Sequence, residues 1–448
     1  MRCWVLISIV ALSACAGTRE PLVPAQDVPP SWQANEAVKP LPENWLATLH
    51  APYLNEIVEQ AVASNYDLKQ RALQVEVANE RGKLLRADRL PSLNVSLSGE
   101  RFRPGGGFSL IAERYDASAT LGFELDLWGK LSDAQRSASL DLAAEEMSYL
   151  DAERRLVAQV VSTTFNLISS AALQDLFNQR LDNLAEGLDV IEKGYRSGLN
   201  EALDVYLAQT TLEQERANVA NQRQVSFEAS TSLELLLAKY PDARTAVQSQ
   251  LPELRPLPDI GLPSELLTRR PDIQQSWLTL LSADAALAAA HKDRFPSLDL
   301  TGSLRDTASA YSRLFDGGAL GFSAAASLFQ PLFQGGRLQA LEAQARLRTE
   351  QAEQAYLQTV YAAFAEVENE LSRAVSLEER FEAFLQAQVN AEAALRLATD
   401  QYQRGLVAFT TVLEAQRRAF DAQTTVVQLR NQLLQSRVAL LLALGGNY

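Results

Sequence analysis

The sequence contains very little cysteine, histidine and methionine. Of its 448 residues, two are Cys, two are His and two are Met. Cys3 and Cys15 both lie near the start, so no pair remains for a disulfide in the body of the chain. His50 and His291 are far apart and lie outside any H-E-x-x-H or C-x-x-C pattern. We therefore expect no metal, no cofactor and no catalytic group, and the chain is not predicted to be an enzyme.

An excess of basic residues and a long apolar run are also missing. Lys and Arg number 41 against 55 Asp and Glu, which gives a formal net charge of −14. Proteins that bind nucleic acid usually carry a basic patch, so no nucleic-acid partner is expected. Beyond the first 15 residues, no segment approaches the ~18 consecutive apolar residues of a membrane-spanning helix.

The first residues have the pattern of an export signal. One basic residue precedes a short apolar run, so residues 1–14 are predicted to be a signal peptide. Leu12-Ser13-Ala14-Cys15 resembles the bacterial lipobox, which predicts a diacylglycerol and an acyl chain such as palmitate on Cys15. Ala16 rather than an aspartate follows, which in lipoproteins resembles transport to the outer membrane. The alternative is an ordinary signal peptide with a chance cysteine. Residues 15–51 carry six prolines and are predicted to be a lipidated, extended arm.

Glycine and proline are absent between Arg337 and Arg404. The segment is rich in Ala, Leu, Gln and Glu, which favour helix. One unbroken helix over residues 337–404 would be roughly 100 Å long. Residues 130–193 form a counterpart that only Gly187 interrupts. Because no globular core covers such a rod, its neighbours are expected to be equally long or stacked.

In four segments the apolar residues recur with a period of two. Apolar and polar residues alternate over residues 92–103 and 116–127, and again over residues 296–305 and 319–330, which predicts four strands with one apolar face. Aromatic residues near the strand ends resemble the interfacial girdles of a membrane barrel: Phe108, Tyr115, Trp128, Tyr311, Phe315 and Phe333. The alternative is a soluble sheet whose apolar face packs on the chain's own helices.

The second half of the chain repeats the first. Asp88-Arg-Leu-Pro-Ser-Leu-Asn-Val95 matches Asp293-Arg-Phe-Pro-Ser-Leu-Asp-Leu300, and Tyr195-Arg-Ser-Gly-Leu199 matches Tyr402-Gln-Arg-Gly-Leu406. The nearly constant offset indicates a tandem duplication. We assign residues 52–240 to the first repeat, 241–262 to a connector and 263–448 to the second repeat.

Four strands cannot close a barrel, because known barrels need about eight or more. Open edges promote aggregation unless neighbouring copies pair with them. A cyclic homotrimer would supply twelve strands and a second barrel of long helices. The predicted fold is therefore mainly α with a membrane β-barrel portion, in which long antiparallel helices form a trimeric α-barrel and each chain adds four strands.

The duplicated unit resembles the TolC-type outer-membrane efflux channels, in particular their lipoprotein branch, the NodT-like outer membrane factors. Leu266-Leu-Thr-Arg-Arg-Pro-Asp-Ile273 and Ala443-Leu-Gly-Gly446 add to the resemblance, which covers essentially the whole mature chain. It implies a passive exit duct of a tripartite efflux pump in the bacterial outer membrane, with helices in the periplasm. The implied partners are outer-membrane lipid, a periplasmic adaptor (membrane fusion) protein and an inner-membrane RND-type pump. A periplasmic coiled-coil scaffold lipoprotein without a pore is the alternative.

By the same resemblance, the two helix-joining turns form the periplasmic tips. Gly198, Leu199, Gly405 and Leu406 are then candidates for contact with the adaptor, although a tight turn alone would explain the glycines.

An iris-like gate at the tips would use Asp204 and Glu414, whose three copies repel one another and attract cations. The alternatives are a helix-dipole contact for Asp204 and a capping box at Thr411-Val-Leu-Glu414. Val407 and Ala408 stand where the TolC pattern has a basic gate residue, and Arg404 is a candidate substitute.

Overall fold

The computed structural model describes residues 28–29, 31–33, 44–103, 111–245, 250–254, 261–316 and 320–448. The predicted signal peptide, Cys15, most of the arm and Phe108 lie outside these ranges. Within them the chain forms nine α-helices and four β-strands. The mainly α class with a small β portion is therefore confirmed.

The two halves have the same order of elements. The first contains α1 (Trp45–Thr48), α2 (Tyr53–Ser64), α3 (Tyr66–Ala87), β1 (Ser92–Phe102), β2 (Ala112–Leu125), α4 (Lys130–Arg196) and α5 (Ala202–Leu236). The second contains α6 (Leu266–Arg269), α7 (Pro271–Lys292), β3 (Ser297–Ala308), β4 (Gly321–Phe329), α8 (Arg337–Gln403) and α9 (Phe409–Ala443). Each half has a long helix of 67 residues and a return helix of 35 residues.

The long helices form a layer of four columns. α4 packs against α3 and α5 on one flank and against α7 and α9 on the other, and α8 packs against α7 and α9. α3 and α5 are stacked along α4: Arg81 of α3 lies 4.0 Å from Asp141, whereas Gln222 of α5 donates to the Ser170 carbonyl oxygen. The outer columns are therefore α3 with α5 and, on the far side, α8. Each has one flank that no other column of the described chain covers.

The strands form one antiparallel sheet in the order β1-β2-β3-β4. Val95 pairs with Ala119, Ala119 with Leu304, and Leu304 with Phe322, so these residues share one face. The other face carries hydroxyl pairs such as Ser96 with Ser118. One apolar face thus continues across all four strands.

That apolar face is not covered by the chain's own helices. Val95 is 79% exposed and Phe322 is 84% exposed. No strand packs extensively on a helix in the part of the chain described. The alternative of a soluble sheet packed on its own helices is therefore wrong.

β2 and β3 are longer than alternation alone predicted. β2 begins at Ala112 rather than near residue 116, and β3 ends at Ala308 rather than near residue 305. Ion pairs and ladder hydrogen bonds extend the sheet there: Arg114 lies 2.9 Å from Glu100 across β1 and β2. Charged pairs extend a ladder without an apolar alternation.

The largest core lies where α2 covers one face of α4 and α9. Leu54 and Val58 of α2 pack with Val157 and Val161 of α4 and with Leu434, among other buried residues. α4 also contains a window apolar enough to cross a membrane by length and composition, but 67% of that window is buried in the chain. Packing therefore accounts for its apolarity.

The end of the predicted arm differs from the expectation. Trp45 is 1% exposed, and Leu46 and Leu49 are buried in the same core as Leu54. The Trp45 amide donates to the Asn447 carbonyl oxygen at 2.9 Å. Residues 44–51 therefore belong to the packed body rather than to an extended arm, because their apolar side chains close the core beside α2.

Candidate functional site: the helix tips

The two tips have the same backbone geometry. α4 turns into α5 through Gly198, which has a φ of +72°, and α8 turns into α9 through Gly405, with a φ of +71°. In each turn the next leucine amide closes the helix end. Leu199 donates to the Gly194 carbonyl oxygen at 2.8 Å, and Leu406 donates to the Gln401 carbonyl oxygen at 2.9 Å. Positive φ is strained for residues other than glycine, so both glycines are required by the turns themselves.

The side chains of the leucines that follow these glycines are exposed. Leu199 is 82% exposed and Leu406 is 69% exposed. Neither side chain is needed to close the turn, because both hydrogen bonds use backbone atoms. A large apolar side chain at an uncovered tip suits a surface that another molecule covers.

Asp204 lies in the first turn of α5, half-buried, beside Tyr402 at the end of α8. Burial, and then the negative charge of Asp204, raise the pKa of Tyr402. The Tyr402 hydroxyl is buried and has no hydrogen-bond partner among the described atoms. Its ring packs on Phe409 with the centroids 5.4 Å apart. Asp204 is thus close enough to Tyr402 to disfavour its ionised form, and its place in the first turn also fits the helix-dipole alternative.

Glu414 is held by two arginines of its own helix. Its carboxylate lies 2.9 Å from the Arg417 guanidinium and 2.7 Å from that of Arg418. These hydrogen bonds lower the pKa of Glu414 to about 2. The capping-box alternative does not fit, because α9 begins at Phe409 and Thr411 is inside the helix. Glu414 is therefore a charge-compensated carboxylate rather than a helix cap.

Arg404 is not brought to either carboxylate. Its guanidinium pairs with Asp400, one turn earlier on α8, at 2.9 Å. The structure therefore places Asp204 near Tyr402 and Glu414 near Arg417 and Arg418, and it places Arg404 in a separate ion pair.

A buried arginine above the tips was not singled out by the sequence. Arg180 of α4 is 4% exposed and lies between the rings of Phe177 and Phe420, with its guanidinium carbon 5.1 and 4.5 Å from their centroids. Burial lowers its pKa to about 10, against the opposing effect of Glu215 and Asp421. A single arginine within a long helical segment gives no sequence signal of such a position. By contrast, Arg417 and Arg418 lie three and four residues after Glu414, a spacing that predicts side-chain ion pairs on one face of a helix.

Comparison with known proteins matches this architecture along the whole chain. The family model described as "Outer membrane efflux protein" matches residues 57–239 and 262–446. The pyoverdine export outer membrane protein OpmQ of Pseudomonas aeruginosa is 29% identical, with 98% of this chain and 95% of OpmQ covered. The outer membrane protein OprJ of the same species is 30% identical, with 99% of this chain and 95% of OprJ covered.

Solved structures agree. The outer-membrane channel OprN superposes with a TM-score of 0.87 at 25% identity, covering 95% of this chain and 97% of OprN. The Campylobacter jejuni CmeC outer membrane channel gives a TM-score of 0.90 at 21% identity, covering 95% of this chain and 94% of CmeC, which shows the shared fold. OpmQ and OprJ are described as outer membrane proteins, OprN and CmeC as outer membrane channels, and none of them as an enzyme. The chain therefore belongs to the outer membrane efflux protein family and is an outer-membrane protein of that family.

Proposed function

We propose that three copies of this chain form the passive exit duct of a tripartite efflux pump, anchored by lipid on Cys15 and gated at its helix tips. The observation that carries the proposal is the uncovered apolar face of the sheet, with Val95 and Phe322 about four-fifths exposed. Such a face suits lipid, and a non-pore scaffold in the periplasm has no use for it.

The open edges support closure by copies of the same chain. β1 and β4 each have one unpaired edge in the four-stranded sheet. Three sheets joined edge to edge would give twelve strands, which is within the range of known barrels. Cyclic symmetry closes the edges that would otherwise promote aggregation.

The outer helix columns carry matching apolar stripes. On α3 the exposed large apolar residues are Tyr66, Leu73, Val77 and Leu84, separated by seven, four and seven residues. On α8 they include Leu347, Tyr361, Val375 and Val389, each fourteen residues apart. These separations follow the heptad spacing of packed helices. α3 of one copy is therefore proposed to pack on α8 of the next.

A cysteine pair tests this arrangement. Val77 lies ten residues before the end of α3 at Ala87, and Leu347 lies ten residues after the start of α8 at Arg337, so both are at the same depth below the strands. A Val77→Cys/Leu347→Cys variant should form disulfide-linked trimers under mild oxidation. Val77→Cys/Leu397→Cys is the matched control, because Leu397 lies near the other end of α8. Linkage only in the control pair, or in neither, would count against the trimer.

Purified trimer should also conduct ions in planar lipid bilayers, since the duct is proposed to be passive. A well-folded trimer without conductance would favour the scaffold alternative. The names of relatives mention pyoverdine export, cation efflux and solvent efflux, so we propose no particular cargo from similarity.

The adaptor is proposed to contact the tips at Leu199 and Leu406, and the RND-type pump to lie beyond it. Leu199→Glu/Leu406→Glu should abolish co-purification of the adaptor from membranes while the trimer remains intact. Tyr240→Glu is the control, because Tyr240 is 83% exposed but belongs to the loop after α5. Equal loss of the adaptor in both variants would contradict a tip contact.

A further inference from the structure

A groove of about 830 Å³ with both polar and apolar lining residues lies where α4, α9 and α8 meet, below the level of the C-terminal residues. Arg155, Arg373 and Arg380 line it together with asparagine, glutamine and serine side chains. No carboxylate is among its lining residues. In a chain with a net charge of −14, a groove lined by three arginines and no acid is unusual.

The groove lies on the face of α4 opposite α2. Val157 and Val161 of α4 are buried under α2, whereas Arg155 and Asn166 point away and are exposed. Arg155 and Asn166 are eleven residues, or about three turns, apart and so share one helix face. α4 has helix columns on both flanks, so only these two faces remain.

Which of the two faces lines the duct follows from the proposed function, and the inference therefore rests on that function. If α2 lay inside the ring, three copies of α2 and its core would fill the passage. α2 is therefore outside, and the arginine-lined groove faces the duct. Three copies would then surround the solute at this level.

Two of the amide side chains in the groove donate to a third. Asn431 donates from Nδ2 to the Asn166 Oδ1 at 2.8 Å, and Gln435 donates to the same oxygen. The acceptor of Asn166 is thus occupied, while its own amide NH₂ has no partner among the described atoms. Arg155 and Arg373 pair with Asp151 and Glu370 at 2.6 and 3.2 Å.

Arg380 differs from the other two arginines. In the described part of the chain it forms no ion pair, and its side chain is exposed into the groove. A guanidinium binds carboxylate and phosphate groups through two parallel N–H donors. Together with the amide donors, it forms a site suited to negative groups.

We propose that this groove is an anion-binding site on the duct wall, which takes solutes carrying carboxylate or phosphate groups on their way out. Each trimer would contain three such sites. Because three copies of Arg380, the arginine of the groove without an ion pair among the described residues, would face a confined passage, the local concentration of a multivalent anion is expected to rise by about tenfold.

Block of single-channel current by ferrocyanide in planar bilayers tests the proposal. In 0.1 M KCl, wild-type channels should be blocked, and Arg380→Gln should raise the half-blocking concentration by about tenfold. The difference should shrink at 1 M KCl, where the Debye length is only about 3 Å. Arg244→Gln is the matched control, since Arg244 pairs with Asp242 in the loop after α5.

The outcomes separate the inference from the proposed function. Conducting wild-type and Arg380→Gln channels with equal block would overturn the anion site and leave the duct intact. If wild-type trimer formed no channels, the groove would not face a duct, and both the anion site and the proposed function would be overturned. An equal change in the Arg244→Gln control would show that overall charge, rather than this groove, controls block, and would also overturn the site.

Discussion

Arg180 donates a hydrogen bond to the carbonyl oxygen of Phe420 at 2.6 Å while its guanidinium lies against the Phe420 ring. The two residues are 240 positions apart and belong to α4 and α9. This contact joins the first hairpin to the second above the tips. Any rotation of the α8–α9 hairpin against α4 would have to break it.

Removing Arg180 should therefore loosen the two hairpins. We expect Arg180→Ala to lower the free energy of unfolding by about 2–4 kcal/mol, through lost charged hydrogen bonds and ring stacking, and to raise resting conductance. Arg180→Lys keeps the charge but not the planar fork, so it should recover less than half of the loss. Guanidinium denaturation of solubilised protein and bilayer recordings measure the two effects.

The control for this experiment is Arg216→Ala. Arg216 pairs with Glu213 on the surface of α5, with both side chains more than half exposed. Exposed pairs contribute roughly 0–1 kcal/mol, so this variant should be close to wild type. Equal destabilisation by the two substitutions would contradict a special role for Arg180.

Glu414 should not titrate in the physiological range. Arg417 and Arg418 lower its pKa to about 2, below its ordinary value of 4.5. Because the folded-state pKa is depressed, the ion pairs are fully present above about pH 4.5 and are lost as pH falls toward about 2. Any pH dependence of conductance between pH 5 and 8 should then not come from Glu414.

A substitution of Glu414 distinguishes an effect of its negative charge from an effect of its titration. Glu414→Gln removes one negative charge per chain and leaves Arg417 and Arg418 without their shared partner, so cation selectivity should fall equally at pH 5 and pH 8. Reversal potentials in a salt gradient measure this. A pH-dependent difference between wild type and variant would show that Glu414 is not held by these arginines.

Arg270 should be a main source of stability where the second repeat begins. It is 5% exposed and pairs with Asp272 at 2.6 Å and Glu366 at 2.7 Å, and it also donates to the Ala443 carbonyl oxygen. Arg270→Ala removes both ion pairs and leaves the Asp272 carboxylate only the more distant Arg155, at 3.8 Å, which should cost about 3–5 kcal/mol. Thermal unfolding monitored by circular dichroism provides the measurement.

The same cluster predicts an acid sensitivity. Burial alone would raise the pKa of Asp272, but hydrogen bonds and charge from Arg270 outweigh it and hold that pKa below its usual value. The contribution of the pair is thus present above about pH 4 and is lost as pH falls further. A stability difference between wild type and Arg270→Ala that did not shrink below about pH 4 would contradict this assignment.

Trp32 should hold the arm to the second repeat. It is 2% exposed, packs edge-on to Phe364 with ring centroids 6.3 Å apart, and donates to the Gly261 carbonyl oxygen at 3.0 Å. Trp32→Ala should cost about 3–5 kcal/mol locally and expose the arm to protease. Trp32→Phe keeps the ring and should cost less. Unchanged proteolysis in Trp32→Ala would contradict this anchoring role.

Much of the fold was predictable because its signals are long and repeated. The glycine- and proline-free stretch gave α8 almost to the residue, and the Tyr-x-x-Gly-Leu turns marked both tips. Gly187 does not interrupt α4, which continues through it from Lys130 to Arg196. Long periodic segments override one weak residue.

The side-chain contacts of the site were less predictable. The proximity of Tyr402 and Asp204, and the position of Arg180 under Phe420, depend on how hairpins far apart in sequence pack together. Local patterns carry no information on such contacts. The anchoring of Trp45 was missed for a related reason, since its core partners come from α2, α4 and α9.

The equal lengths of the repeated helices fix the depth that both tips reach. Both descending helices have 67 residues and both returning helices have 35. At 1.5 Å per residue, each descending helix reaches about 100 Å, so the two tips end at one depth. A seven-residue deletion matched in all four helices would shorten that reach by about 10 Å and keep the tips level. The same deletion in one hairpin alone would leave its tip about 10 Å short of a partner that contacts the other tip.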